Sequence, residues 1–236
     1  MKVRYLSAVL ALGLFAGPSQ AARFTVTIQN LTQGIYFTPL LVAAHDSATH
    51  LFQPGTAASA SLQAMAEGGD LSGLSTDLAT AGAVTETNPA GGLLAPGGAA
   101  TTATLDTGSS ANGYLSITGM MLPTNDGFVG LDAWPIPTTP GTYTVDLNAW
   151  DAGTEANNEL INSANGGAPG TPGIPAAPGG DAGSNGTGVT TTETNGTVHI
   201  HRGVLGDTNP AGGVSDLDSR VHRWLNPVAR VTVVVQ

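Results

Sequence analysis

The sequence predicts an all-β protein, an antiparallel sandwich or barrel of about eight short strands. Three observations carry this. Of the 236 residues, 33 are Gly and 15 Pro, about 20% turn formers where roughly 12% is usual. Charged residues are only 10% of the chain, against about 25% in an ordinary domain, too few to clothe many helices. The apolar residues recur mainly with period two between turn signals.

Residues 23–30 alternate, with Phe24, Val26 and Ile28 on one face and Thr25, Thr27 and Gln29 on the other, the pattern of a half-buried strand. The apolar run 35–44 is broken by Pro39, which lacks an amide donor and so bends a strand or confines it to an edge. Residues 101–105, 114–122, 128–134, 142–149, 198–201 and 229–235 read as further strands. Helical spacing is confined to 57–67 and 71–81, where Leu62, Met65, Leu71, Leu74 and Leu78 recur at intervals near three to four. This predicts two short helices at one end of the fold, the first ended by Gly68-Gly69.

Lys2 and Arg4 precede an apolar run over 5–15, followed by Pro18 and Ser19-Gln20-Ala21. This reads as a signal peptide, 1–21, cleaved near Ala21; its core is shorter than the roughly 20 residues that cross a bilayer. The expectation is a secreted or periplasmic protein with one domain, 22–236, and no membrane span in the mature chain. Its five remaining Arg stand against 17 Asp and Glu, a net −12 that repels nucleic acid. With no Cys, disulfides and thiolate metal sites are excluded. Residues 166–188, rich in Gly, Pro and Ala, read as a flexible insertion.

No Cys nucleophile, Gly-x-Ser-x-Gly elbow, phosphate loop or Rossmann glycine pattern is present, so a non-enzymatic role is expected. Two constellations remain. His199-Ile200-His201 would place two imidazoles on one side of a strand, a chelate for Zn²⁺ or Cu²⁺ of the dismutase type. Its bland counterpart sets both His on the solvent face with Val198 and Ile200 in the core. The second constellation is acidic: Asp106 at a strand end, Asp126 in the turn 123–127, and Asp151 opening Asp151-Ala-Gly-Thr-Glu155. Hard oxygen ligands drawn from several loops are what Ca²⁺ takes, although Asp also favours turns for purely local reasons.

At these residues the chain resembles the spondin N-terminal domain family, that of F-spondin and mindin. Pro123-Thr-Asn-Asp-Gly-Phe-Val-Gly-Leu-Asp132 is similar to that family's Pro-Ser-x-Asp-Trp-Phe-Val-Gly-Val-Asp. Asp151-Ala-Gly-Thr-Glu155 is similar to its Asp-Ala-Gly-Thr-Asp, and 223–232 resembles its Pro-x-Ala-Arg-Val-Thr terminal strand. Ala43-Ala-His-Asp46 and Ala66-Glu-Gly-Gly69 resemble further elements in the family's order. The resemblance implies an eight-stranded, C2-like antiparallel sandwich with Ca²⁺ held by Asp126, Asp151 and, within one residue of register, Asp106. Asp132 and Glu155 are expected as supporting groups. It further implies an adhesion or surface-binding role toward a protein or glycan partner. A metal-free structural protein is the remaining alternative.

Overall fold

The strand predicted at 23–30 forms as β1 (Arg23–Asn30), with Phe24, Val26 and Ile28 fully buried and Arg23 and Gln29 exposed. A computed structural model describes residues 22–107, 111–162, 168–176, 178, 183, 185–209 and 211–236. The expected signal peptide lies outside them. The 35–44 run divides around Pro39 into β2 (Tyr36–Phe37) and β3 (Leu41–His45). Then come α1 (Ala60–Gly68), α2 (Ser72–Thr80), β4 (Val84–Thr87), β5 (Ala99–Thr101) and β6 (Leu105–Asp106). The long strands β7 (Tyr114–Leu122), β8 (Gly127–Pro135) and β9 (Gly141–Asp151) follow, then β10 (His199–Ile200) and β11 (Ala229–Val235).

The strands run β4-β3-β7-β8-β9-β11-β1-β5 in one hydrogen-bonded path, with β2, β6 and β10 attached to β7, β1 and β9. The pairings between these strands are antiparallel, and β9 belongs to both layers. Its first part, 141–147, pairs with β11 from Val235 to Ala229. Its last part, 148–151, pairs with β8 from Gly130 to Gly127. The sheet therefore folds back on itself, and its inner faces enclose Phe24, Ile28, Phe37, Ile117, Val129, Val231 and Val233. The two outer edges also meet: the Ala103 amide donates to both Glu86 carboxylate oxygens, at 3.1 and 2.9 Å.

The helices do not sit at one end, as the sequence suggested. They cover the outer face of β3, β7 and β8, where Leu62, Met65, Leu74 and Leu78 pack with Leu41, Ala43, Met120 and Phe128. The reason is legible in β3: all five of its residues are buried, so both faces need an apolar partner. Ser59 caps α1 by accepting from the Leu62 amide at 3.1 Å, and Gly69 ends it with φ 71°, as a left-handed C-terminal glycine does.

A third apolar cluster, Ile161, Ile174, Val204 and Leu217 with Trp224, lies beneath the long connections after β9. Residues 168–176, within the segment read from composition as a flexible insertion, contribute to it. Ile174 is fully buried and exchanges backbone hydrogen bonds with Leu160 and Asn162. Gly170 donates to Glu67 at 2.8 Å and Gly173 to Glu155 at 3.1 Å. Composition predicts loop here, and the loop makes its contacts through one isoleucine and two buried carboxylates.

Candidate metal centre

Gly127 stands opposite Asp151 in the β8–β9 ladder, which places Asp126, one residue earlier, beside the end of β9. His199 stands opposite Asp151 on its other side, in β10. The turn 123–127, the end of β9 and the short β10 strand thus converge. The histidine pair and two of the three acidic residues singled out in the sequence meet at Asp151.

Asp126 and Asp151 are fully buried. Asp126 Oδ2 accepts from the Thr154 amide at 2.8 Å, the Thr154 hydroxyl at 3.2 Å and the Glu155 amide at 3.1 Å. Its Oδ1 is buried without a hydrogen-bond partner. Burial, followed by the charge of Asp151, pushes the Asp126 carboxyl up to about 7. Asp151 Oδ1 accepts from the Gly153 amide at 2.9 Å and Oδ2 from Asn157 Nδ2 at 2.8 Å. Glu155 is buried too, and burial foremost raises it to about 7, with Glu67 and Asp126 adding repulsion against its hydrogen bonds. Its Oε2 accepts from Asn125 Nδ2 at 3.3 Å and the Gly173 amide, while Oε1 has no partner.

The turn after β9 holds this arrangement. Gly153 has φ 70°, and a Cβ there would lie 2.6 Å from the Asn195 carbonyl oxygen and 2.7 Å from the Thr197 amide nitrogen. Only glycine lets the Asp-Ala-Gly-Thr turn pass so close beneath the backbone leading into β10.

The two histidines differ from the sequence expectation. His201 is buried and Ile200 exposed, the reverse of a strand with both His in solvent. His199 Nδ1 lies 2.7 Å from the Thr197 carbonyl oxygen and must donate to it, so Nε2 of the neutral ring carries a lone pair. That atom is 3.7 Å from Asp151 Oδ2. His201 Nδ1 accepts from the Gly203 amide at 3.0 Å, so its proton sits on Nε2, 3.9 Å from Asp151 Oδ2 and without a hydrogen-bond partner. Burial pushes His201 down to about 4. The rings present unlike nitrogens to Asp151 and do not form a matched chelating pair. A polar hollow of about 270 Å³ opens beside them, lined in part by Asn157, His199 and Arg202.

Asp106 is not brought to this centre. It pairs with Arg23 at the start of β1 and forms an exposed ion pair with it at 3.6 Å. Strand register puts that end level with Val235 and Gly141, whereas Asp151 ends the 11-residue strand β9, roughly 30 Å away at about 3.3 Å per residue. Asp132 is also separate: it accepts from His50 and from the Leu51 amide. Sequence reasoning missed Asn125, Asn157 and Glu67 as members of the buried network. Their only signal was polar side chains flanking the two acidic turns and a Glu before Gly68-Gly69.

The fold and site define an all-β domain with a buried carboxylate pair at the ends of two neighbouring strands. The chain belongs to the Spondin_N family, whose model matches residues 27–169. Asp126, Asp151 and Glu155 fall inside that match; His199 and His201 lie beyond it. None of the curated proteins matches the chain. The family marks an extracellular-type domain, and no described helix is long and apolar enough to cross a membrane.

Proposed function

We propose that the protein is an exported, non-enzymatic binding module in which Asp126 and Asp151, supported by Glu155, hold a divalent cation, taken as Ca²⁺. The observation that carries this reading is the orphaned Asp126 Oδ1, a fully buried carboxylate oxygen beside a second buried carboxylate. Such an atom costs about 1–3 kcal/mol or more unless something satisfies it, and a cation also relieves the repulsion that raises Asp126. The unpartnered Glu155 Oε1 and the His199 Nε2 atom 3.7 Å from Asp151 Oδ2 support the same reading. The donor set is mostly oxygen, which suits a hard cation over copper or zinc.

Among the described residues, no three His, Cys, Asp or Glu side chains are grouped as a ligand set by themselves. Backbone carbonyls and water would complete the coordination, as calcium tolerates. The cation would tie the turn at 123–127 to the turn after β9 and leave the polar hollow beside it open to an adhesion or surface partner. Calorimetric titration of the chelated protein with Ca²⁺ tests this: saturable uptake that disappears in Asp126→Asn is expected. Equal uptake in both proteins, or none in either, overturns it.

A further inference from the structure

The outward face of β9 carries Asp146, Asn148 and Trp150 at alternate positions. The β8–β9 ladder stops at Gly130 and Asn148; before that point β9 runs with β11, while β8 continues alongside β7. The strands fork, and the fork opens into a groove of about 270 Å³ lined by Phe52, Gly130, Asp132, Asp146, Asn148 and Trp150, among others.

The groove joins an aromatic wall to polar groups with spare hydrogen-bonding capacity. Trp150 Nε1 donates to the Gly130 carbonyl at 3.1 Å, which anchors the polar end of the indole. Its ring packs against Phe52 with centroids 5.2 Å apart. A Cβ on Gly130 would lie 2.8 Å from the Phe52 ring and 2.9 Å from Trp150 Cδ1, so the missing side chain is what lets both rings close over the strand. Asp146 is bound by Arg230 through two hydrogen bonds, at 2.8 and 3.0 Å. Asp132 accepts from His50 and the Leu51 amide. Both acids thus have bound partners yet retain acceptor capacity. Asn148, half-buried on the groove wall, makes no side-chain hydrogen bond among the described residues and offers both a donor and an acceptor.

An apolar ring surface beside fixed acceptors and a free amide matches a pyranose, which has a C–H face and a rim of hydroxyls. We propose that this groove binds a neutral saccharide ring, with its C–H face on the part-exposed Trp150, which the buried Phe52 backs, and its hydroxyls on Asn148, Asp146 and Asp132. The bound partners of the two acids disfavour an organic cation, the other ligand that aromatic rings attract. The inference names a ligand for the surface-binding part of the function proposed above. It is independent of the cation part, because Trp150 and Asp151 are successive strand residues on opposite faces.

The test titrates the full-length chain, in Ca²⁺ and again in chelator, with glucose, galactose, mannose and N-acetylglucosamine and their short β-linked oligomers. Tetramethylammonium serves as the cationic comparison, and intrinsic tryptophan fluorescence and calorimetry are the readouts. Saturable binding of at least one sugar is expected, weakened about tenfold or more in Trp150→Ala and in Asn148→Ala and unchanged in Asp126→Asn. Asn148→Ala, on the surface, decides the matter if Trp150→Ala fails to fold. No saturation by any sugar, saturation by tetramethylammonium alone, or undiminished binding in Asn148→Ala overturns the proposal. Loss of calcium uptake without loss of sugar binding bears on the cation reading alone.

Discussion

Asp126 and Asp151 are buried side by side at the ends of two adjacent antiparallel strands, and the charge of Asp151 helps to hold the Asp126 carboxyl near 7. Such a pair is neutralised either by a proton on one carboxyl or by a counter-charge brought to both.

Calcium at about 100 times its dissociation constant should stabilise the protein by about 2.7 kcal/mol, or roughly 5–10 °C in Tm at this size. Asp126→Asn should lose that shift while keeping a chelated Tm close to that of the chelated parent, because it removes a repulsion along with a ligand. Thermal melts with and without chelator check both.

The chelated protein should lose stability as pH rises. Asp126 and Glu155, with ordinary values of 3.8 and 4.5, are both raised to about 7 in the folded state. Between about pH 5 and 7 these two groups bind more protons in the folded chain, while His201, lowered from 6.5 to about 4, binds fewer; two outweigh one, so each pH unit upward favours unfolding. Melts across this range should show Tm falling toward pH 7 and levelling above it. Asp126→Asn should flatten the slope, and saturating calcium should oppose the fall.

Gly153→Ala should cost about 2–5 kcal/mol, combining left-handed strain with backbone overlap. The added methyl meets the 195–197 backbone, which leads into β10, so calcium uptake should weaken as well. Urea denaturation and calorimetric titration measure the two effects.

Glu159 is buried with φ 58° and accepts from the Leu205 amide at 2.6 Å, the Gly206 amide at 2.8 Å and the Ser215 hydroxyl at 2.7 Å. Glu159→Ala leaves these donors unanswered and should cost about 1–3 kcal/mol or more. Faster hydrogen exchange at the Leu205 and Gly206 amides should accompany it, with β1 and β11 amides little changed at moderate denaturant.

Much of the fold was legible where pattern and turn signals agree. The strands at 114–122 and 229–235 form with the expected bounds, since each is rich in apolar and β-branched residues and follows a turn signal, Asn112-Gly113 and Asn226-Pro227. β4 was not legible: Val84-Thr-Glu-Thr87 has one apolar residue and lies half-exposed on an edge, so burial leaves no periodic mark. The Asp126–Asp151 pairing could be read from two acidic turns beside strands. Asp106 shared that local signature, but which end of the sandwich a strand end occupies is set by register and direction, which no local pattern encodes. His201 was misplaced because β10 is two residues long; the chain turns inward before alternation can continue.

The contact between Glu86 and the Ala103 amide has a consequence for behaviour at high concentration. An open sheet edge is a template onto which another copy can add its own strand, the first step of ordered aggregation. Here the curl brings the two ends of the strand path together, and a carboxylate spans the gap between them. A chain without disulfides thereby keeps its edges from recruiting neighbours through sheet closure and one well-placed charge. Replacing that Glu with Val would preserve most of the fold while exposing the protein to self-association.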